Sequence, residues 1–168
     1  MNNKAYIYSI LLVAILVQLR LLPHPPNFSP ILAASIFSGF YFRSFFLGLF
    51  VIIFSMFLGD LYLGFHSTMF FTYISLVVAV TLGFLIKNLK ISQIILSGLS
   101  SSVCFFLITN LGAWMTLDMY EKNLSGLMTS YTLAIPFFQN TLISTLLYLF
   151  LFKIFLEFIL NKKKILKT

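Results

Sequence analysis

Residues 20–43, RLLPHPPNFSPILAASIFSGFYFR, decide the fold of this chain. The stretch opens with an arginine, a histidine and four prolines, and it continues as an apolar run that ends at Arg43. If that run crosses a membrane, each later segment has one orientation. If it enters the membrane and returns on the same side, each later segment is inverted.

The composition of the whole chain is that of a membrane protein. Of 168 residues, 60% are apolar, 18% are aromatic and only 9% are charged, whereas soluble domains have about 25% charged residues. We therefore predict an all-α integral membrane protein. The single cysteine, Cys104, forms no intramolecular disulfide, and no Cys/His spacing suggests zinc, so neither a metal nor a cofactor is predicted.

Six segments are apolar enough to be candidate membrane spans within one domain, residues 1–168. A helix needs about 20 apolar residues to cross the hydrocarbon core. The second segment is the shortest, because Pro30 and Arg43 limit its apolar run, and a re-entrant segment is the alternative there. The segment after span five, 116–136, is predicted to be an outer loop. The spans are 5–22, 28–42, 44–64, 68–86, 92–115 and 137–160.

The basic residues decide between these two topologies. With six spans and both termini in the cytoplasm, only Arg20 and Lys122 of the eleven basic residues lie outside, as the excess of Lys and Arg in cytoplasmic loops requires. A returning second segment would place Lys87, Lys90 and the basic tail (residues 161–168) outside. We therefore predict a six-transmembrane-helix bundle with both termini cytoplasmic. Its cytoplasmic basic residues are Lys4, Arg43, Lys87, Lys90, Lys153, Lys162, Lys163, Lys164 and Lys167.

The two ends of the chain fit the same topology. The first span starts with a positive charge, as a signal peptide does, but QLRLLPHPP at 18–26 has no small-x-small cleavage site, so we expect it to be retained. The basic tail is predicted to lie against anionic lipid. The lipid bilayer is thus a predicted partner. No basic patch interleaved with aromatic residues exists, so no nucleic-acid partner is predicted.

Polar and aromatic side chains gather at the predicted outer side. They come from the first outer loop, the end of span three, the end of span five and the start of span six. Because four separate segments converge there, we predict a pocket open to the outside, for a small ligand that is mostly uncharged or zwitterionic. The candidate substrate-binding residues are Arg20, His24, Asn27, Phe28, Asp60, His66, Asn110, Trp114, Gln139 and Asn140.

Most of these candidates also have a purely structural explanation. Arg20 can extend to the membrane interface, and His24 and His66 can be solvated loop residues. Asn110 and Asn140 can join helices by hydrogen bonds, and a tryptophan at a helix end is often an interfacial residue.

Asp60 is the strongest single candidate. An aspartate near the middle of a span costs about 2.5–3.5 kcal/mol on insertion scales, so such residues are usually functional. Asp60 follows Gly59 and has Gly64 one turn later, and both glycines allow a backbone or a ligand to approach closely. A buried pair with Arg20 is the alternative to ligand contact, and both can hold at once.

Four blocks of the chain carry a resemblance to a known family. They are RLLPHPPNFSPILAASIFSG, FLGDLYLGFHSTM, FFLITNLGAW and IPFFQNTLISTLLY. As a set they resemble a family of small bacterial membrane proteins of unknown substrate, assigned to transport. That family is similar to the substrate-binding S components of energy-coupling factor (ECF) vitamin transporters.

The resemblance implies a six-helix, S-component-like protein of the bacterial cytoplasmic (inner) membrane that binds a vitamin-like nutrient from the outer side. The first outer loop would be a lid, and a transmembrane scaffold subunit with two ATPases would drive uptake. S components usually carry an alanine-x-x-x-alanine patch on the first helix for the scaffold. Here Ala14 is followed by Gln18 instead, so a protein that acts without the ATPase module is the alternative.

Two other classes of function compete with nutrient binding. A structural or scaffold subunit of a membrane complex, without transport activity, would share the compact bundle but would not need the outward convergence of polar residues. An enzyme is not predicted, because the four acids are scattered and the chain contains no H-E-x-x-H motif, no paired intramembrane aspartates and no Walker loop.

Overall fold

The computed structural model describes residues 3–88 and 90–165, with side-chain detail over 11–88 and 90–158. Within this part of the chain, all regular structure is helical, which confirms the all-α prediction. The side chains of the predicted basic tail lie outside the described residues. The helices are α1 (Asn3–Leu21), α2 (Ile31–Phe42), α3 (Phe45–Leu63), α4 (Met69–Leu85), α5 (Ile91–Thr116), α6 (Leu124–Leu133) and α7 (Ile135–Ile165).

The stretch that opens the sequence analysis forms a loop and a short central helix. Pro30, whose fixed φ suits a helix start, lies directly before α2, and Arg43, directly after α2, has the left-handed conformation, with φ 50°. Ser44 then caps α3 by accepting a hydrogen bond from the backbone N–H of Leu47 at 3.4 Å. This tight turn makes α2 and α3 an antiparallel hairpin.

Helix α2 lies at the centre of the bundle and packs against α3, α4, α5 and α7. Its small residues allow backbones to touch, as is typical of helices in lipid. A Cβ added at Gly83 of α4 would lie 1.9 Å from the carbonyl oxygen of Ile36, and one at Gly39 would lie 2.2 Å from that of Val80. No side chain larger than hydrogen fits at either glycine without separating α2 from α4.

The interior is rich in hydroxyl groups, while the exterior is apolar. Buried serines such as Ser35 and Ser55 donate to the carbonyl oxygen four residues earlier in their own helix, at 2.8 and 2.6 Å. In contrast, Phe46 and Phe158 have 80% and 66% of their surface exposed, together with many leucines and isoleucines. A soluble protein would bury such side chains, so this arrangement favours an exterior that contacts lipid.

Among the described residues, three helices are long and apolar enough to cross a membrane: Phe45–Leu63, Ile91–Thr116 and Ile135–Phe158. Shorter apolar helical stretches are Leu11–Leu21, Ile31–Phe42 and Met69–Leu85. Each of the six predicted spans thus overlaps a helix, and the crossing of the membrane by all six stays a prediction. Helix α2, with 12 residues, extends only about 18 Å.

Helix α6 lies in the segment 116–136, where the sequence analysis predicts only an outer loop. Asn123 caps it by accepting a hydrogen bond from the backbone N–H of Gly126 at 2.8 Å. Tertiary contacts hold it against α5, since Tyr131 donates to the carbonyl oxygen of Leu107 at 2.9 Å and its ring contacts Phe106. Burial raises the pKa of the Tyr131 phenol, so the hydroxyl stays protonated and able to donate.

Candidate functional site

A cavity of about 320 Å³ lies at the end of the bundle where α1 ends and α2 begins, which we call the loop end. It lies under the first loop (residues 22–30). The nearly inaccessible Leu32, Met56 and Ser144 form part of its wall. Its other lining residues are Arg20, His24, Asn27, Ser29, Ile31, Leu63, Thr72, Phe105, Thr141 and Thr145.

A charged cluster borders this cavity. Arg20 of α1 forms a salt bridge through Nη2 with Oδ1 of Asp60 in α3, and Tyr73 of α4 donates its hydroxyl to Oδ2 of Asp60 at 2.7 Å. Nη1 of Arg20 donates to the carbonyl oxygen of Met56 at 2.9 Å and lies 3.1 Å from its sulfur. The two predicted alternatives for Asp60 were pairing and ligand contact, and the structure shows the pair.

The backbone of α3 makes room for this arginine. A Cβ added at Gly59 would lie 3.0 Å from Cδ and 3.1 Å from Nη1 of Arg20. The Gly59–Asp60 sequence therefore supplies both the space for the guanidinium and the carboxylate that binds it. The sequence analysis predicted close approach at Gly59, and the group that approaches is the Arg20 side chain.

The first loop is held over the cavity by contacts with α7. Nδ2 of Asn140 donates to the carbonyl oxygen of Pro26 at 3.0 Å, and the rings of Phe28 and Tyr148 meet edge to face with centroids 6.4 Å apart. Asn27 between them has φ 60°, a left-handed conformation that asparagine tolerates better than most residues. The predicted residues Asn27, Phe28 and Asn140 thus shape the roof of the cavity.

A smaller cavity of about 60 Å³ adjoins the first and shares Asn27, Phe105 and Thr141 with it. Asn110 borders this side compartment, where its Nδ2 donates to the carbonyl oxygen of Phe106 in its own helix at 2.8 Å. The amide oxygen is thereby left available to accept a hydrogen bond.

Three predicted site residues lie away from the cavity wall. His66 is exposed and its Nδ1 lies 2.9 Å from the hydroxyl of Thr68. Trp114 donates its indole N–H to the carbonyl oxygen of Glu121 at 2.9 Å, so it anchors the segment before α6. Gln139 is exposed on α7. The structure therefore brings together Arg20, His24 and Asn27 with their supporting residues, but not these three.

Several hydroxyl-bearing residues of the wall were not among the predicted site residues. Thr141 and Thr145 lie four residues apart on α7, which places them on one face of the helix, and Thr72 faces them from α4. Thr145 is fully buried, and its hydroxyl has no hydrogen-bond partner in the described part of the chain. The i, i+4 threonine pair next to Ser144 was a signal that could have indicated this face.

No group of three or more His, Cys, Asp or Glu side chains that could hold a metal ion occurs among the described residues. Comparison with curated proteins and with solved structures gives no match for the chain. A family model matches residues 1–167, and the chain belongs to that family, the family of unknown function DUF6580.

Proposed function

We propose that this protein is a membrane-embedded, substrate-binding subunit for the uptake of a small, vitamin-like nutrient, similar to an ECF S component. Helices α1 to α5 and α7 would be its six spans, and α6 would lie at the outer surface. The single observation that carries the proposal is the roofed cavity of about 320 Å³ at the loop end, with polar groups on its wall.

The size and lining of the cavity favour a small ligand. Pockets that bind small molecules typically measure about 300–1,000 Å³ and combine an apolar lining with a few well-placed polar groups. This cavity is at the lower limit of that range. Its wall combines apolar Ile31, Leu63 and Phe105 with a guanidinium, an amide and several hydroxyl groups.

The distribution of charge supports the predicted orientation, with the loop end outside and the bacterial cytoplasmic membrane as the location. Arg43 and Lys87 lie together at the opposite end, since Arg43 donates to the carbonyl oxygens of Ile86 and Lys87 at 2.8 and 2.9 Å. Basic residues at one end of a bundle favour that end as the cytoplasmic one.

The proposed uptake leaves two ways of working. Either a transmembrane scaffold subunit with two ATPases drives the protein, or it acts without them. Helix α1, the docking surface in S components, presents Leu11, Ala14 and Ile15 as exposed residues. Purification from native membranes, followed by identification of co-purifying ATPases, distinguishes the two.

Thermal unfolding of the full chain in lipid nanodiscs tests ligand binding. The panel contains vitamins, their precursors and nucleobases. A compound present at about 100 times its dissociation constant adds about 2.7 kcal/mol to the stability of the folded state. We expect one class of compound to raise the unfolding temperature.

A matched pair of variants links any such shift to the cavity. Thr141→Val removes a hydroxyl from the cavity wall, while Thr81→Val removes one from an exposed site, and both hydroxyls donate to the carbonyl four residues earlier. Thr141→Val should weaken the response and Thr81→Val should preserve it. A flat panel would contradict the proposal and favour a structural subunit.

A further inference from the structure

We propose that Asp60 determines which charge the cavity accepts, without touching the ligand. By neutralising Arg20, it makes the site select uncharged molecules that carry both hydrogen-bond acceptors and donors, such as amides and cyclic amides, and disfavour anions. This inference rests on the proposed function, and it assigns Asp60 the role of a specificity-determining, positioning residue.

The cavity wall carries few groups that can be charged. Among the lining residues in the described part of the chain, only Arg20 and His24 can carry charge. His24 is exposed in the first loop, and its Nδ1 lies 2.9 Å from the carbonyl oxygen of Pro25. α2, α4, α5 and α7 contribute no Lys, Arg, Asp or Glu to the described wall, so the charge inside it depends on Arg20 and its partner.

Asp60 is buried, and its carboxylate is already paired. Its residue surface is 0% exposed, and it is not one of the lining residues. Both carboxylate oxygens have partners, Oδ1 the guanidinium of Arg20 and Oδ2 the hydroxyl of Tyr73. An ammonium group of a ligand therefore finds no carboxylate among the described wall residues, which disfavours zwitterions and cations that would need one.

Arg20 keeps a hydrogen-bond donor that can serve a ligand. Its side chain lines the cavity and is 20% exposed. A guanidinium has five N–H groups, and the described contacts toward α3 involve only Nη1 and Nη2. The Nε–H group is left to donate to a ligand. Because the pair as a whole is neutral, a carbonyl oxygen can accept this bond without the desolvation that an anion would suffer.

The threonine and serine hydroxyl groups of the cavity wall supply hydrogen-bond acceptors. Thr72, Thr141 and Ser144 each donate to a backbone carbonyl oxygen of their own helix, at 3.3, 3.0 and 3.1 Å. While they make these bonds, their oxygens are available to accept hydrogen bonds from a ligand, and the Thr145 hydroxyl has no partner in the described part of the chain. A wall with the N–H groups of Arg20 and Asn27 as donors and several hydroxyl oxygens as acceptors matches a molecule that has a carbonyl group and N–H groups.

Bromide ion tests the neutrality of the site without any need for the natural ligand. Broadening of the ⁷⁹Br nuclear magnetic resonance line measures weak bromide binding to the full chain in nanodiscs. Four proteins are compared: wild type, Asp60→Asn, Asp60→Asn with Arg20→Gln, and Glu157→Gln. Glu157→Gln is the matched control, because it removes a negative charge from the exposed Lys153–Glu157 pair.

We expect Asp60→Asn to bind bromide roughly ten-fold more tightly than wild type, which corresponds to about 1.4 kcal/mol. The added Arg20→Gln change should abolish that gain, and Glu157→Gln should not reproduce it. Absence of the gain in Asp60→Asn would overturn the proposal. So would wild-type bromide binding that is ten-fold or more tighter than that of the double variant, a comparison that remains decisive if Asp60→Asn alone does not fold.

The nutrient panel supplies a separate measurement on the wild-type protein. Uncharged compounds, such as nicotinamide and the nucleobases, should give the largest shifts in unfolding temperature. A larger shift from pantothenate, an anion, or thiamine, a cation, would overturn the charge assignment while preserving the proposed function. A flat panel with the expected bromide result would contradict the function alone.

Discussion

At the residue scale, the Arg20–Asp60 pair is the feature on which the loop end depends. Asp60 has no access to solvent, and Arg20 has little. Each therefore needs the other, since removing one partner from a buried pair typically costs about 3–5 kcal/mol, while removing both is far less harmful.

We therefore expect Asp60→Asn to lower the unfolding temperature, with a loss near 3 kcal/mol because Arg20 keeps some solvent contact. Adding Arg20→Gln should restore much of that loss. Glu157→Gln, which breaks an exposed pair within α7, should change stability by less than about 1 kcal/mol. Thermal unfolding of all three variants checks this. A double variant that is no more stable than Asp60→Asn would contradict the coupling of the pair.

At the scale of elements, α2 and α4 approach each other more closely than a Cβ atom at Gly39 or Gly83 would allow. At Gly83, an added Cβ would meet the backbone of Ile36, while at Gly98 of α5 it would lie 2.8 Å from the end of the Leu146 side chain. A leucine side chain can change its conformation, whereas the backbone of a packed helix moves only with the helix.

Gly83→Ala should therefore destabilise the protein by at least the roughly 1–3 kcal/mol typical of overpacking, and Gly98→Ala by distinctly less. Unfolding temperatures of the two variants in the same nanodiscs provide the comparison. Equal losses of stability in the two variants would show that separating α2 from α4 costs no more than moving the Leu146 side chain.

At the scale of the whole molecule, the two ends of the bundle differ in charge, and this difference underlies the proposed topology. Ser67 lies at the loop end and Ser92 at the opposite end, and both are exposed. A cysteine at each position, in a chain where Cys104 is replaced by serine, reports which side of the membrane that end occupies.

We expect a membrane-impermeant maleimide to label Ser67→Cys in intact cells, and to label Ser92→Cys only after the membrane is opened. The Cys104→Ser chain alone is the control and should remain unlabelled. The reverse pattern of labelling would invert the proposed orientation and place the cavity toward the cytoplasm.

The sequence predicted the helices better than the site. Apolar runs and the charges that limit them are local features, so six helices could be located from the sequence alone. The pairing of Arg20 with Asp60 could be foreseen because few ionisable groups were available. The position of Trp114 away from the cavity could not be foreseen. Its partner, the carbonyl oxygen of Glu121, belongs to a segment whose fold depends on packing against α5.

The hydroxyl-bearing residues that line the cavity could not be predicted either. Threonine and serine are common in membrane helices, and a sequence does not show which of them face a cavity. Thr72, Thr141 and Thr145 line the same space because α4 and α7 both pack against α2.

The separation of Arg20 and Asp60 along the chain has a consequence for biosynthesis. The two residues are 40 positions apart, and at synthesis rates of about 5–20 residues per second the arginine is made roughly 2–8 s before its partner. During that interval Arg20, at the last turn of α1, can extend toward the interfacial water. In the proposed membrane topology, Asp60 would be inserted after its counter-charge, so its carboxylate would not be unpaired in lipid at any stage of synthesis.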